Sequence, residues 1–364
     1  MPNAGKEGPM AVVIIGGGIV GCHIAYRLAN EGKDVFLLEK EGALGEHTST
    51  RNSGVIHGGI YYPHGSLRAG LCVRGRHLTY EFLQKYDVPH SKCGKVIVAL
   101  NQEELKSLEG LKSLGESNGV ENLTLLDAAA VQRLEPRVRC SGALYSPETG
   151  ILDMAAYMRT MEKVLKGLGV TLVKQCKVLS VNDQNTLTTT RGEIEADLLI
   201  NAAGLHSDTI ANLCGLEGYQ IIPYKGDYYN TTEDVIRGLV YPVPDSPLSL
   251  GIHLTRTLGN EILIGPSVVK VSDKEDYEIR TPRKEFEEGA VAMVPDLNIQ
   301  RLYPGYSGNR PKLFYQGELQ TDFVIHKQGL GQKQGPRRVH LLGIESPGMT
   351  AAPAIAEYVA RIIS

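Results

Sequence analysis

Apolar positions first gather at residues 11–15, AVVII, a block with no polar interruption, as in a strand covered on both faces. Gly16, Gly18 and Gly21 follow at GxGxxG spacing, and apolar residues then recur at helical period to about Ala29. Lys33 and Asp34 precede a second apolar block at 35–38, which ends on Glu39. Strand, tight turn, helix and strand within about thirty residues make a βαβ unit.

Further along, Leu67, Leu71, Leu78 and Phe82 mark one side of a helix over 66–86. Arg68, Arg74, Arg76 and His77 fall elsewhere on it and read as a solvated face, with Arg68, nearest the preceding loop, as the exception. Residues 95–100 predict a strand, 102–118 an exposed helix, and 127–134 a short helix stopped before Pro136. A stronger helix covers 153–168, followed by alternating strands at 170–181 and 194–200. Beyond 219 the texture changes to short strands at 220–229, 239–243, 250–255 and 261–264 among many Pro and Gly, which predicts an antiparallel sheet. The charged run SDKEDYEIRTPRKEFEEG reads as a solvated loop and helix without chemistry. Residues 339–343 predict a strand, followed by a loop and a closing helix.

The glycine turn carries the first chemical signal. Gly16 permits the sharp exit from the strand, Gly18 lets backbone N–H groups approach a pyrophosphate, and Gly21 lets the helix lie close on the sheet. The helix N-terminus attracts the phosphates. Glu39 would accept hydrogen bonds from a ribose and repel a 2′-phosphate, so the unit predicts FAD or NAD in preference to NADP. A Gly-rich turn without a ligand is the alternative.

Composition narrows the field. With 364 residues the chain has room for two cores, and 38 cations against 41 acids leave a net charge of −3, which offers no basic field for nucleic acid. Six cysteines without a CxxC pair suggest a reducing compartment and no zinc site. No apolar run approaches the roughly 20 residues of a membrane span. The opening MPNAGKEGPM reads as neither signal nor presequence.

RNSGVIHGGIYYPHGSLRAGLCVRG from Arg51 and CGKVIVAL from Cys93 bring a closer resemblance, extended by PETGILD, LLINAAGLHSD, YPVPD, GIHLT, PGYSGNRPKL, DFVI and GIESPGMTAAPAIAEYVA in order. The chain resembles the L-2-hydroxyglutarate dehydrogenases, flavoproteins of the D-amino-acid-oxidase-like superfamily. The resemblance implies an α/β fold of glutathione-reductase type. A discontinuous Rossmann-type FAD-binding domain would comprise 10–90, 150–218 and 336–364, and an antiparallel-sheet substrate domain 91–149 and 219–335. It implies FAD, a dicarboxylate substrate, and electrons leaving for a quinone or other electron carrier. Location would be mitochondrial in a eukaryote, and cytoplasmic or peripheral to the membrane in a bacterium.

The candidate cofactor residues are Gly16, Gly18, Gly21, Glu39, Lys40, Arg51, Asn52, Ser53, Gly54, Val178, Ala203, Gly204, Gly348, Met349 and Thr350. Gly348 and Met349 stand near the start of the closing helix, whose N-terminus would stabilise negative charge on a reduced flavin. A flavin accepts a hydride at N5, so oxidation of a hydroxy acid also needs a base for the hydroxyl proton and cations for carboxylates. His57 and His253 are the candidate bases, histidine having a pKa near working pH; a histidine among glycines serves equally to satisfy a backbone carbonyl. For carboxylates, Arg310 ranks first and Lys225 second, the latter standing where the family often carries Arg. Tyr61 and Thr255 would supply orienting hydroxyls. An amino-acid or glycerol 3-phosphate oxidase of the same superfamily, and a flavin-binding subunit without turnover, remain as alternatives. Gly18→Val should yield protein lacking the yellow flavin absorption, checked by its visible spectrum after purification.

Overall fold

The structure, a computed structural model, describes residues 10–244, 250–331 and 335–364. Most of the opening MPNAGKEGPM, at 1–9, and Asp245 of the YPVPD block lie outside the described residues.

Strand β1 (Ala11–Ile15), helix α1 (Ile19–Asn30) and strand β2 (Asp34–Leu38) form the expected βαβ unit. β1 is central because it is apolar on both faces; Val12, Val13 and Ile14 are fully buried. It pairs in parallel with β2 on one side and with Leu198–Asn201 on the other. Thr171–Val173 continues the sheet beyond β2, and Arg338–Leu342 beyond Leu198–Asn201. The sixth strand, Val324–Gln328, is an unpredicted antiparallel edge drawn from the stretch assigned to the substrate domain.

The predicted strand at 194–200 divides in two. Gly192–Glu195 joins a small separate sheet with Thr186–Thr189 and Val178–Val181, while Leu198–Asn201 enters the main one. Asp197 makes the division: its carboxylate and N–H bond the backbone of Ala11 at 2.8 and 3.0 Å, pinning the chain to the start of β1.

Helix α2 (Leu67–Lys85) forms where expected, but its buried side is not the leucine stripe. Ala69, Cys72, Gly75, Thr79, Phe82 and Leu83 face inward, because α2 packs closely on the C-terminal helix Gly348–Ile363. At Gly75 a Cβ would come within 2.4 Å of Thr350 O. Arg76 is not solvated either: it is 1 % exposed, donates to Gly58 O and pairs with Glu121.

The second sheet runs 318–319, 303–315, 219–231, 262–265, 253–256, 239–242, 95–99, 142–146 and 124–127, with 269–270 attached to the third of these. Neighbours are antiparallel except Leu239–Pro242 beside Lys95–Ala99, which are parallel. Its longest unpredicted member is Tyr303–Tyr315, hidden by Pro304, Gly305, Gly308 and Pro311, residues that weaken a strand pattern. Gly308 explains one departure, since a Cβ there would sit 2.0 Å from Arg51 O. The long strand thus crosses the loop that follows β2 at backbone contact.

Gly75→Ala should cost about 1–3 kcal/mol through overpacking between α2 and the C-terminal helix. Gly70→Ala, on the same helix with nothing near its Cβ, should be neutral or stabilising by up to about 1 kcal/mol. Urea unfolding of both variants checks the pair.

Candidate functional site

The two sheets enclose a cavity of about 800 Å³. Gly18 and the loop 48–53 form one end, strand residues 308–312 with Tyr228, Tyr241 and His253 form the other, and residues 344–349 run along the wall between them.

At the first end the glycines divide their work. A Cβ on Gly16, whose φ is +110°, would lie 2.5 Å from Ala202 O, and one on Gly21 would lie 2.0 Å from Gly16 O. These two therefore serve close packing, while Gly18 lines the cavity. α1 starts at Gly18 without a cap of its own; Ser49 Oγ accepts from Ile19 N–H at 2.9 Å instead. Glu39 lies under the turn, its carboxylate accepting from the N–H groups of Gly17 (2.7 Å) and Glu41 (2.9 Å) and keeping lone pairs to spare. Gly348 and Met349 bring a second helix N-terminus to the same cavity. A helix-capped glycine turn, an acid at the end of β2 and one continuous cavity long enough to reach a second helix start fit FAD.

At the second end His253 and Tyr241 stack, ring centroids 3.7 Å apart and planes 17° apart. His253 Nδ1 donates to Gly251 O at 2.9 Å; a carbonyl can only accept, so the ring proton sits on Nδ1 and Nε2 is the acceptor. His57 lines the same wall, with Nε2 3.3 Å from Ser346 Oγ and Nδ1 shielded and, among the described residues, without a hydrogen-bond partner. The Arg310 guanidinium lies across Gly226, where a Cβ would come within 3.0 Å of both Nη atoms. Its hydrogen bond is a long one, 3.4 Å to Ser267 O, and among the described residues no carboxylate pairs with it.

A family model described as FAD dependent oxidoreductase, DAO, matches residues 11–362. The chain belongs to the DAO family. This oxidoreductase is 36% identical to the mitochondrial L-2-hydroxyglutarate dehydrogenase of Arabidopsis thaliana, over 96% of this chain and 82% of that one. It is 33% identical to the L-2-hydroxyglutarate dehydrogenase of Escherichia coli, over 95% and 91%. Among solved structures, the FAD-bound L-alpha-glycerophosphate oxidase of Mycoplasma pneumoniae superposes with a TM-score of 0.89 at 28% identity, over 98% and 95% of the two chains. The chain is thus an FAD-dependent oxidoreductase, and no helix among its described residues is long and apolar enough to cross a membrane.

The structure brings Gly18, Arg51, Asn52, Ser53, Gly204, Gly348 and Met349 to the cavity of this oxidoreductase, together with His57, His253, Arg310 and Tyr61. Arg51 lies over the Tyr277 ring at 4.0 Å. Asn52 spends its amide on its own loop, donating to Thr48 O and Ser49 O and accepting from Gly54 N–H.

Several candidates stand elsewhere. Lys225 pairs across the sheet with Asn309, one register position from Arg310, so the two-residue period of a strand puts it on the opposite face. It is 0 % exposed and bonded to Asp276 and Glu278 O; the charged run read as a solvated loop and helix supplies both partners. Thr255 lies beneath the cavity wall, its hydroxyl buried beside the Tyr241 phenol. Lys40 pairs with Glu41 and Glu275, and stands as counter-charge where those acids and His47 cluster. Gly54, at φ +66°, is tight against Leu152 O, and Val178 is buried in the small sheet. Ala203 lies behind Ala202 and Gly204, its N–H bonded to Asn201 Oδ1. Thr350 spends its hydroxyl between His57 N–H and Val55 O.

Lys95 was missed, because a lysine opening the strand KVIVA reads as an edge charge. It is fully buried, within 4.6 Å of the Tyr61 ring and 4.7 Å of the Tyr241 ring, and donates to the Tyr61 hydroxyl at 3.3 Å. When Lys95 is an ammonium it carries donors alone, so Tyr61 then accepts and its own O–H proton is free to point at a bound anion. Burial brings the Lys95 pKa down to about 7. The expected histidine pKa near working pH is also corrected. Burial, reinforced by Lys95, lowers His57 to about 3, and burial likewise lowers His253 to about 3 against the pull of Gly251 O. Both imidazoles are neutral acceptors at pH 7.

Buried His23 and His340, like His253, fall to about 3 from an unfolded value near 6.5. Below pH 6.5 the unfolded chain binds more protons, so stability should fall as pH drops from about 6.5 toward 4, by up to about 1.4 kcal/mol per pH unit for each histidine. Urea unfolding at pH 7, 6 and 5 measures this slope, and His253→Asn should make it shallower by about one histidine's share.

Proposed function

We propose that this oxidoreductase converts L-2-hydroxyglutarate to 2-oxoglutarate and passes the electrons to a quinone or another electron carrier at a membrane surface. One observation carries the reading: an arginine that among the described residues has no carboxylate partner and two neutral imidazoles share a cavity whose other end suits FAD. Bound FAD supplies the two-electron acceptor. The protein's part is to hold the acid and take the hydroxyl proton. Arg310 clamps the carboxylate beside the carbinol carbon, and a planar guanidinium spread over Gly226 presents the forked donors that a carboxylate accepts best. The Tyr61 O–H, aimed by Lys95, adds a third donor. The proton acceptor is His57 or His253. The fixed tautomer supports His253, while His57 lies nearer the helix start that bears Met349.

The likeness to a glycerophosphate oxidase favours a second reading, glycerol 3-phosphate, whose phosphate would also suit Arg310. Anaerobic spectra separate the two. L-2-hydroxyglutarate should bleach the flavin bands, whereas its D-enantiomer, glycine and glycerol 3-phosphate should not; bleaching by glycerol 3-phosphate alone would reverse the assignment. Arg310→Ala should raise KM for the diacid, with Arg310→Lys recovering part of the loss. Replacing the base by Ala should slow flavin reduction by about 10²-fold or more while changing 2-oxoglutarate affinity far less.

A further inference from the structure

We infer that Arg68 and Lys312 form a receptor for the far carboxylate of a five-carbon diacid whose near carboxylate is held by Arg310, an assignment that rests on the 2-hydroxy acid reading above. Along Tyr303–Tyr315 the side chains alternate faces, so Arg310 and Lys312 share one face, and both line the cavity. Two residues of strand advance about 6.7 Å. The terminal carbons of an extended five-carbon chain lie about 5 Å apart at carbon–carbon bonds near 1.5 Å, and the carboxylate oxygens reach further. One rung of the sheet therefore spaces two cations as such a diacid spaces two anions.

The far site is built in advance. Lys312 is 7 % exposed and donates to Glu345 Oε1 at 2.9 Å; Arg68 donates to the same oxygen at 2.7 Å. Two cations share this one acid, and the nearby Asp322 carboxylate spends its oxygens on backbone N–H groups, so the pair keeps donors for an anion in a wall where solvent screens poorly. Arg68 Nε is shielded and among the described residues has no hydrogen-bond partner. The arginine is also held from behind. The Asp322 carboxylate accepts from the N–H groups of Leu67 and Arg68 at the start of α2, and the Phe323 ring lies 5.2 Å from the guanidinium. Glu345 thus keeps both cations at the wall and partly neutralised, so that a bound carboxylate replaces half of its work. Lys225 has no part here, being on the far face of the sheet.

Titration calorimetry on the FAD-loaded protein tests this without turnover, using glutarate, which has both carboxylates and no hydroxyl, and pentanoate, which has one. Glutarate should bind at least tenfold more tightly. In Arg68→Met and in Lys312→Met its affinity should fall to within about twofold of that for pentanoate, with pentanoate unchanged, whereas Arg310→Met should weaken both. Since Met variants leave Glu345 short of a partner and risk misfolding, Glu345→Gln is the companion variant: with the internal competitor neutralised, glutarate should bind several-fold more tightly. An unchanged preference for glutarate in the Met variants, weaker glutarate binding in Glu345→Gln, or loss of FAD without loss of that preference would overturn the inference. A protein that prefers glutarate as described but oxidises no 2-hydroxy acid would remove the proposed reaction and leave this site standing.

Discussion

Backbone touching backbone, at points too tight for a single methyl group, is the constraint on which this fold depends. Gly16 meets Ala202 and carries Gly21 beneath it, Gly75 meets Thr350, and Gly308 meets Arg51. Apart from the Gly16–Gly21 contact inside one turn, each joins segments far apart in the chain. Together they bring a glycine turn, a helix start and a long strand around one cavity. A Cβ at any of them would push a wall outward, and active-site geometry tolerates displacements of about half an ångström. These glycines position the chemistry although three of them, Gly16, Gly21 and Gly75, do not line the cavity.

Charge inside the cavity follows a second rule, that burial penalises whichever form is charged unless a partner offsets it. His57 and His253 respond by staying neutral, and Lys95, behind the Tyr61 and Tyr241 rings that line the cavity, by a pKa brought down to about 7. Arg310 among the described residues has no carboxylate beside it, so its donors are left for a ligand. Lys312 and Arg68 share Glu345. Neutral bases beside Arg310 and a partly neutralised Arg68–Lys312 pair describe a site for an anion that must lose a proton.

The strongest sequence signals were those confined to neighbouring residues. AVVII with its GxGxxG turn and Glu39 was legible because a βαβ unit is a local object with its own period. The helices at 67–85, 102–117 and 154–167 were legible for the same reason. Tyr303–Tyr315 was not, since its prolines and glycines oppose strand propensity and are tolerated through pairing with Tyr219–Thr231 and contact with Arg51. The buried face of α2 was legible only in part: Phe82 is buried as expected, but Ala69, Cys72, Gly75 and Thr79 are buried in place of Leu67, Leu71 and Leu78, which are only partly buried, because small residues allow close approach of the Ala-rich C-terminal helix.

By itself the sequence determined the dinucleotide unit, the two kinds of sheet and the residue types available for an oxidation, because these rest on local period and on chemistry each residue carries wherever it lies. Tertiary structure alone decided which of those residues meet. Arg310 faces the cavity and Lys225 does not, a distinction made by register, in which one step reverses a side chain's direction. Lys95, Lys312 and Glu345 joined the site because burial and pairing between distant segments set a side chain's charge and partners, and no pattern along the chain records them.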